Sequence, residues 1–137
     1  PGTESHGALR MDFPGGWHND SRNAFTGEGL SNPQREAQAF VRKLLNWRKD
    51  NAVIHDGKLM QFTPVRNVYT YFRYDDEETI MVIFNRGDDV ATVQTGRFAE
   101  RIDDAKSAVD VITGDSLDIG EPLTLEPRSV LLLEITG

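Results

Sequence analysis

The chain has 137 residues, of which 38% are hydrophobic and 27% charged, and its formal net charge is −7. This length suits one ordinary domain with a core of its own. The acidic balance argues against nucleic acid as a partner, because phosphate binding requires a basic surface. No apolar run approaches the length of a membrane span, and the lack of cysteine excludes disulfides and thiolate metal sites.

Residues 10–30 form a long irregular segment, with Pro14, four glycines and no hydrophobic periodicity. A loop of this length is uncommon inside a compact domain and is usually functional. Trp17 is flanked in this loop by glycines and by polar residues, among them Asp12 and His18, and a flat indole ring can stack on the apolar face of a sugar. The residues favour two interpretations equally: Trp17 forms a sugar subsite, or Phe13 and Trp17 anchor the loop to a core.

The next segment predicts an amphipathic helix over 33–50. Asn32 is expected to cap its N-terminus, with Pro33 at the first helical position. Asn51 is expected to end it in the left-handed conformation. Apolar residues recur with helical spacing in one stripe, formed by Ala37, Phe40, Val41, Leu44 and Leu45. On the helix, Phe40 and Trp47 are interpreted as packing residues.

From residue 57 onward the hydrophobic pattern has a period of two. Short strands separated by turn residues indicate an antiparallel sandwich or barrel, and the run 79–85 is apolar on both faces, as for a central strand. We predict a domain boundary that separates 1–52 from the β-region 53–137. The sandwich interior is predicted to contain Val82, Phe84, Val130 and Leu132.

Few residues suggest chemistry. The acidic runs 75–78, 88–89 and 103–104 are interpreted as solvated turns, because adjacent acids in a turn point to water. The three histidines, at positions 6, 18 and 55, lack the spacing of a metal site, and no nucleophile elbow or phosphate loop is present. The sequence therefore predicts no catalytic residue, no metal site and no cofactor.

Two tyrosines allow a rival function. Tyr69 and Tyr71 are spaced i, i+2 and project to one side of their strand. They could belong to a row of exposed aromatic residues in a carbohydrate-binding module, or they could be cross-strand packing residues. A purely structural or interaction domain is a third interpretation.

Several segments resemble the C-terminal region of bacterial α-amylase-type enzymes of glycoside hydrolase family 13, most closely the neopullulanase and cyclomaltodextrinase group. These segments are RMDFPGGWHNDSRNAFT, LLNWRKDNAVIHDGKLMQFTPVRNVYTYFRY and IMVIFNRG. In that family a (β/α)8 barrel carries the chemistry and a β-sandwich, domain C, follows its last helix. The resemblance therefore implies a mainly β, Greek-key sandwich, preceded by a loop and one helix left over from a barrel.

The resemblance also places the N-terminal segments. Residues 2–4 would follow the eighth barrel strand, the loop 10–30 would lie at the barrel face where substrates bind, and 33–50 would be the last barrel helix. The motifs that carry the catalytic carboxylates in this family lie on earlier strands and are absent. The substrate-binding candidates are then Trp17, Asp12 and His18, with Arg10 and Phe13 as loop anchors.

The chain is accordingly interpreted as the non-catalytic C-terminal fragment of an enzyme that acts on α-glucans or maltodextrins. Its partner would be the catalytic barrel in cis, and the α-glucan substrate would be reached through that barrel. Because the barrel strands are missing, the helical stripe is predicted to be covered by a second copy in a truncation-induced homodimer. The alternative cover is the chain's own sandwich, if the helix folds back on it. The resemblance favours a periplasmic or extracellular location. The alternative is a free-standing carbohydrate-binding or purely structural module.

Overall fold

The computed structural model describes residues 10, 12–102 and 105–136. Residues 2–4, which the resemblance assigns to the end of a barrel segment, lie outside this part of the chain, as do His6 and the acidic pair 103–104. Two compact units are present, the first ending at Lys43 and the second beginning at Leu44. The helices and strands are, in chain order, α1 (Asn32–Lys49), α2 (Ala52–Asp56), β1 (Lys58–Val65), β2 (Val68–Tyr74), β3 (Thr79–Asn85), β4 (Ala91–Val93), a 3-10 turn (Thr95–Phe98), α3 (Ala99–Ile102), β5 (Ser107–Asp110), β6 (Ser116–Asp118), β7 (Leu123–Leu125) and β8 (Ser129–Thr136).

Helix α1 confirms the helix predicted over 33–50, but its cap differs. The main-chain N–H of Ser31 donates to the side chain of Gln34 at 2.9 Å, and the Ser31 carbonyl accepts from the N–H of Arg35 at 3.0 Å. Ser31 therefore precedes the first turn, with Gln34 providing one half of a capping box. The prediction that Asn32 caps the helix is wrong by one residue.

The C-terminal end of α1 also differs from the prediction. Asn51 has φ −115° and ψ 101°, so it is extended rather than left-handed. It precedes the short helix α2, in which Val53 is buried. The extended backbone at Asn51 starts a new helix, because a residue at a helix N-terminus takes a non-helical conformation.

The strands form two antiparallel sheets. Six strands make the larger sheet in the order β1-β2-β3-β8-β5-β6, and β4 pairs with β7 in the smaller one. Strand β8 thus lies between β3 and β5, which places the last strand of the chain at the centre of the larger sheet. This arrangement confirms the mainly β, antiparallel sandwich that the resemblance implies, and decides between the sandwich and the barrel that the strand pattern left open.

The main core lies between the two sheets. We call the surface of the larger sheet that faces this core the inner face, and the opposite surface the outer face. Buried residues from both sheets and from the 3-10 turn meet on the inner face, including Phe72, Met81, Ile83, Val93, Phe98, Leu123, Leu125 and Leu133. Because side chains alternate along a strand, the neighbours of these residues in β2, β3 and β8 point to the outer face.

The outer face carries a second, smaller cluster. Ile80, Val82 and Leu132 are buried there beneath Val53 of α2, and partly buried Leu44 and Trp47 of α1 pack against the same cluster. The interpretation of Trp47 as a packing residue is confirmed. The interpretation of Phe40 is wrong, because Phe40 is exposed, as are Ala37, Val41 and Leu45 of the predicted stripe.

The predicted lining of the sandwich interior is wrong in its face. Val82 and Leu132 are buried, but on the outer face and not between the sheets. Phe84 lies on that same outer face and is 40% exposed. Val130, which pairs with Phe84, is only partly buried. The alternating pattern correctly places these four residues on one face of the sheet. Because β3 is apolar on both faces, however, the pattern could not tell which face packs against the smaller sheet.

Candidate functional site

The loop at 12–30 is held by two polar side chains of its own. Asp20 Oδ2 accepts hydrogen bonds from the N–H groups of Gly15 at 2.8 Å and Trp17 at 3.1 Å. Asn23 Oδ1 accepts from the main-chain N–H groups two and three residues further on, at 2.9 and 3.1 Å. The loop therefore has a defined backbone path without a helix or strand.

Two glycines are required by this path. Gly29 has φ +69°, and a Cβ there would lie 2.1 Å from the carbonyl oxygen of Ser21. Gly15 has φ +94°, and a Cβ there would lie 2.7 Å from the side chain of Asn23. Both positions combine a left-handed backbone with close approach of the neighbouring chain, and glycine alone accepts both conditions readily.

The predicted substrate-binding residues all lie on the surface of this loop. The Trp17 side chain is 69% exposed, and Asp12 and His18 are exposed as well. An exposed indole on a hydrogen-bonded loop offers an apolar surface for stacking, with polar groups beside it in sequence. Their roles in binding remain predictions.

The two predicted loop anchors are also at the surface. The Phe13 ring contacts that of Phe25, with 5.3 Å between centroids and 54° between planes, and both rings are more than 60% exposed. Arg10 is exposed. The hydrogen bonds that hold the loop come instead from Asp20 and Asn23, which sequence reasoning missed. The signal for them was their residue type, since Asp and Asn side chains commonly accept from nearby main-chain N–H groups in turns.

Acidic side chains in the second unit serve local structure. Asp75 Oδ1 accepts from two main-chain N–H groups of its turn at 2.9 and 2.7 Å, and these hydrogen bonds lower the pKa of Asp75. The whole turn 75–78 is exposed, which confirms its interpretation as solvated. Buried Asp110 accepts from the N–H of Ile112 at 3.0 Å and the hydroxyl of Thr113 at 3.2 Å. Within the described ranges, no group of three or more His, Cys, Asp or Glu residues is placed to hold a metal ion.

Three aromatic rings lie together on the outer face. We call them, with the adjoining Val130, the aromatic surface. Tyr69, Phe84 and Val130 pair across β2, β3 and β8 in one row of the sheet. The ring centroids of Tyr69 and Tyr71 are each within 6.4 Å of that of Phe84, with nearly parallel planes at 13° and 23°. The two tyrosine rings are 5.8 Å apart. The outcome for the two tyrosines therefore combines both sequence interpretations: they pack across strands and remain partly exposed.

Polar and charged groups lie around the aromatic surface. The Tyr69 hydroxyl donates to Gln61 Oε1 at 2.7 Å. Partial burial raises the pKa of Tyr71, and the neighbouring Tyr69 raises it further, while Arg73 acts in the opposite direction. An open groove of about 1260 Å³ runs past Tyr69 and Phe84. Its rim carries the ion pair between Arg128 and Asp88, at 2.6 Å.

Phe84 and Val130 are the members of this surface that sequence reasoning missed. Both were predicted to line the sandwich interior, Phe84 because it shares a face of its strand with Val82. The available signal was the double-sided apolar pattern of 79–85, which shows that both faces of β3 have apolar neighbours or partners.

No described helix is long and apolar enough to cross a membrane.

A family model matches this part of the molecule. The model describes the cyclo-malto-dextrinase C-terminal domain and matches residues 59–134. That range begins in β1 and ends in β8, so it contains nearly all of the sandwich and the whole aromatic surface. The match confirms the predicted resemblance to the C-terminal region of an α-amylase-type enzyme.

Solved structures share the fold. An AmyP variant in complex with maltotriose is 21% identical over 80% of this chain, with a TM-score of 0.65, and AmyP in complex with maltose is 20% identical over 79%, with a TM-score of 0.66. A variant of MutB, a trehalulose synthase, is 20% identical over 79% of this chain, with a TM-score of 0.61. The chain covers only 23%, 22% and 20% of these proteins, respectively, so each of them is several times longer than the matched part.

Proposed function

The chain belongs to the family of cyclo-malto-dextrinase C-terminal domains, and from this membership we propose that it is the non-catalytic C-terminal domain of an α-amylase-type glycoside hydrolase. The parent enzyme would cleave α-glucosidic bonds in α-glucans or maltodextrins, with neopullulanase and cyclomaltodextrinase as the closest activities. The catalytic barrel would precede the sandwich in the same polypeptide. Residues 1–52 would belong to that barrel, and 53–137 would form the C-terminal domain.

The observation that carries this proposal is the match of residues 59–134, which contain nearly all of the sandwich, to the family model. The hydrogen bonds of buried Asp110 and partly buried Glu134 support the non-catalytic assignment. A retaining glycosidase needs two carboxyl groups about 5 Å apart across the scissile bond. Asp110 is committed to its own turn, and Glu134 accepts a hydrogen bond from Trp47, so both carboxylates already stabilise the fold.

A hydrolysis assay tests the proposal. The 137-residue chain should release no sugar from starch, pullulan or cyclodextrin above the buffer background. The complete polypeptide that its gene encodes should hydrolyse at least one of them. Turnover by the short chain that survives purification and disappears in Asp110→Asn or Glu134→Gln would refute the non-catalytic assignment.

Within this function, the loop at 12–30 would contribute to substrate handling. Trp17 would stack on a glucose unit, Asp12 and His18 would contact its hydroxyl groups, and Arg10 and Phe13 would fix the loop. The exposure of the Trp17 indole supports this role. In the complete polypeptide, Trp17→Ala should raise KM for maltodextrins more than it lowers kcat, because it removes binding and leaves the reacting groups in place. Val90→Ala, at an exposed apolar residue outside the loop, is the control.

A second function has one observation in its favour. The aromatic surface is partly exposed, and exposed rings on a sandwich face can bind carbohydrate. If the chain is a free-standing carbohydrate-binding module, maltoheptaose should bind with a Kd in the micromolar to low-millimolar range. Binding should then be lost in Tyr69→Ala and Tyr71→Ala. Titration of the 137-residue chain by calorimetry distinguishes this function from the first.

A further inference from the structure

One residue of the loop at 12–30 bonds to both main-chain polar groups of Trp17. Asp20 Oδ2 accepts from the Trp17 N–H at 3.1 Å, and the Asp20 N–H donates to the Trp17 carbonyl at 3.2 Å. The same Oδ2 atom accepts from the N–H of Gly15 at 2.8 Å. Asp20 therefore closes a turn around the residue that carries the candidate stacking ring.

The direction of the Trp17 indole depends mainly on its backbone. The side chain is 69% exposed, so packing against other residues restrains the ring only weakly. The N–H and the carbonyl of Trp17 belong to the two peptide groups on either side of its Cα, and bonds to both restrain its φ and ψ angles. These two angles set the direction in which the indole leaves the chain.

The turn that Asp20 closes is attached to helix α1. The Ala24 N–H donates to the Pro14 carbonyl at 3.0 Å, which links the two arms of the loop. Gln38 of α1 donates from Nε2 to the Ala24 carbonyl. All of these residues belong to the first compact unit. The turn around Trp17 thus has a defined position relative to the helix.

From these hydrogen bonds we propose that Asp20 is a positioning residue for substrate binding, which holds the Trp17 indole in the direction in which it stacks on a glucose unit. This inference rests on the proposed function, because it requires Trp17 to bind substrate. Asp20 acts through the main chain of Trp17. A side chain that is already ordered binds more tightly, because less conformational freedom is lost on binding.

Kinetics of the complete encoded polypeptide test this role. Asp20→Ala removes the acceptor, and we expect KM for maltoheptaose to rise about three- to tenfold, as for the ordering of a side chain and its loop on binding, with kcat nearly unchanged. Asp20→Asn keeps an acceptor oxygen and should restore most of the affinity. Asp20→Glu keeps the charge but displaces the carboxylate by one methylene, so it should behave like Asp20→Ala. Rescue by Asp20→Glu and not by Asp20→Asn would show that the charge itself acts, and would overturn the proposal.

A double-mutant cycle separates action through Trp17 from direct contact with the sugar. If Asp20 acts through Trp17, adding Asp20→Ala to Trp17→Ala should change KM little further. An equal rise in KM in both backgrounds would show an independent role for Asp20 and overturn the proposal. Glu28→Ala, at another exposed acid of the same loop, is the control and should leave KM unchanged.

Fluorescence measures the positioning of Trp17 without substrate. The chain contains two tryptophans, so Trp47→Phe leaves Trp17 as the single emitter in the 137-residue chain. In this background Asp20→Ala should lower the residual anisotropy of the nanosecond decay, because the turn then moves on that timescale. Asp20→Asn and Glu28→Ala should not lower it. An unchanged decay in Asp20→Ala would show that other contacts hold the indole, and would overturn the proposal.

The failure of this inference can be separated from that of the proposed function. If Trp17→Ala raises KM and Asp20→Ala does not, the substrate role of Trp17 stands and only its positioning by Asp20 is wrong. If Trp17→Ala leaves KM unchanged in an active enzyme, that substrate role is wrong and the inference fails with it. If the complete polypeptide hydrolyses no α-glucan, the proposed function itself is wrong.

Discussion

The indole Nε1 of Trp47 donates a hydrogen bond to Glu134 Oε1 at 2.5 Å, across 87 residues of sequence. Trp47 lies in the last turns of α1, and Glu134 lies in β8, at the centre of the larger sheet. Both side chains are partly buried. The bond therefore attaches the end of a helix that the resemblance assigns to the barrel to the central strand of the sandwich.

Loss of this bond should destabilise the second unit. Trp47→Phe keeps an aromatic ring but removes the donor, and hydrogen bonds to charged groups contribute about 1.5–3 kcal/mol. We expect a loss of about 1–2 kcal/mol in the free energy of unfolding, because partial exposure lets water replace part of the bond. Urea denaturation followed by circular dichroism measures it. Glu134→Gln, which keeps an acceptor oxygen, should cost less; an equal or larger cost would show that the indole bond is not the main contribution.

The two faces of the sheet should respond differently to truncation. Phe72 is fully buried on the inner face, and Phe72→Ala should cost about 3–5 kcal/mol. Phe84→Ala should cost clearly less, about 1 kcal/mol, because its ring is 40% exposed and leaves no closed cavity. Denaturant unfolding of the two variants provides the comparison. Equal losses would place Phe84 in a core and remove the basis for the aromatic surface.

The aromatic surface should show an alkaline transition. The pKa of Tyr71 lies above its usual 10.0, mainly through burial. A raised pKa in the folded state means that this contribution to stability is fully present below pH 10.0 and is lost as the pH rises through the folded pKa. Titration of phenolate absorbance should show a late component, and Tyr71→Phe should remove that component. If the late component persists in that variant, its assignment to Tyr71 is wrong.

The exposed stripe of α1 predicts self-association of the isolated chain. Phe40, Val41 and Leu45 are 43%, 51% and 59% exposed, and burial of each large side chain is worth about 1.5–3 kcal/mol. Light scattering should therefore detect a dimer. Phe40→Asp combined with Leu45→Asp should convert it into a monomer, while Val90→Asp, at an exposed valine outside the helix, should not. A wild-type chain that is monomeric at millimolar concentration would exclude the dimer.

Local patterns were sufficient for α1 and for the strand-rich region, but not for the ends of α1 or for the short helical segments α2, α3 and the 3-10 turn. The spacing of apolar residues predicts α1, because a helical stripe repeats every three or four positions regardless of its partner. Period two and turn residues predict the strand-rich region and an antiparallel sandwich or barrel for the same reason. The solvated turn at 75–78 also follows from residue type, since its acids need no distant contact and Asp75 bonds only within the turn.

Only the tertiary structure decided which face of each element is covered. Alternation places Val82 and Phe84 together, but it cannot say that α2 and Trp47 lie over the first and leave the second open. That outcome depends on contacts between residues far apart in sequence, such as Trp47 with Glu134. The same limit applies to the helix stripe, where Leu44 packs and Leu45 is exposed. Sequence periodicity shows which side chains of an element are apolar and share a face, whereas the burial of a side chain depends on which other residues pack against it.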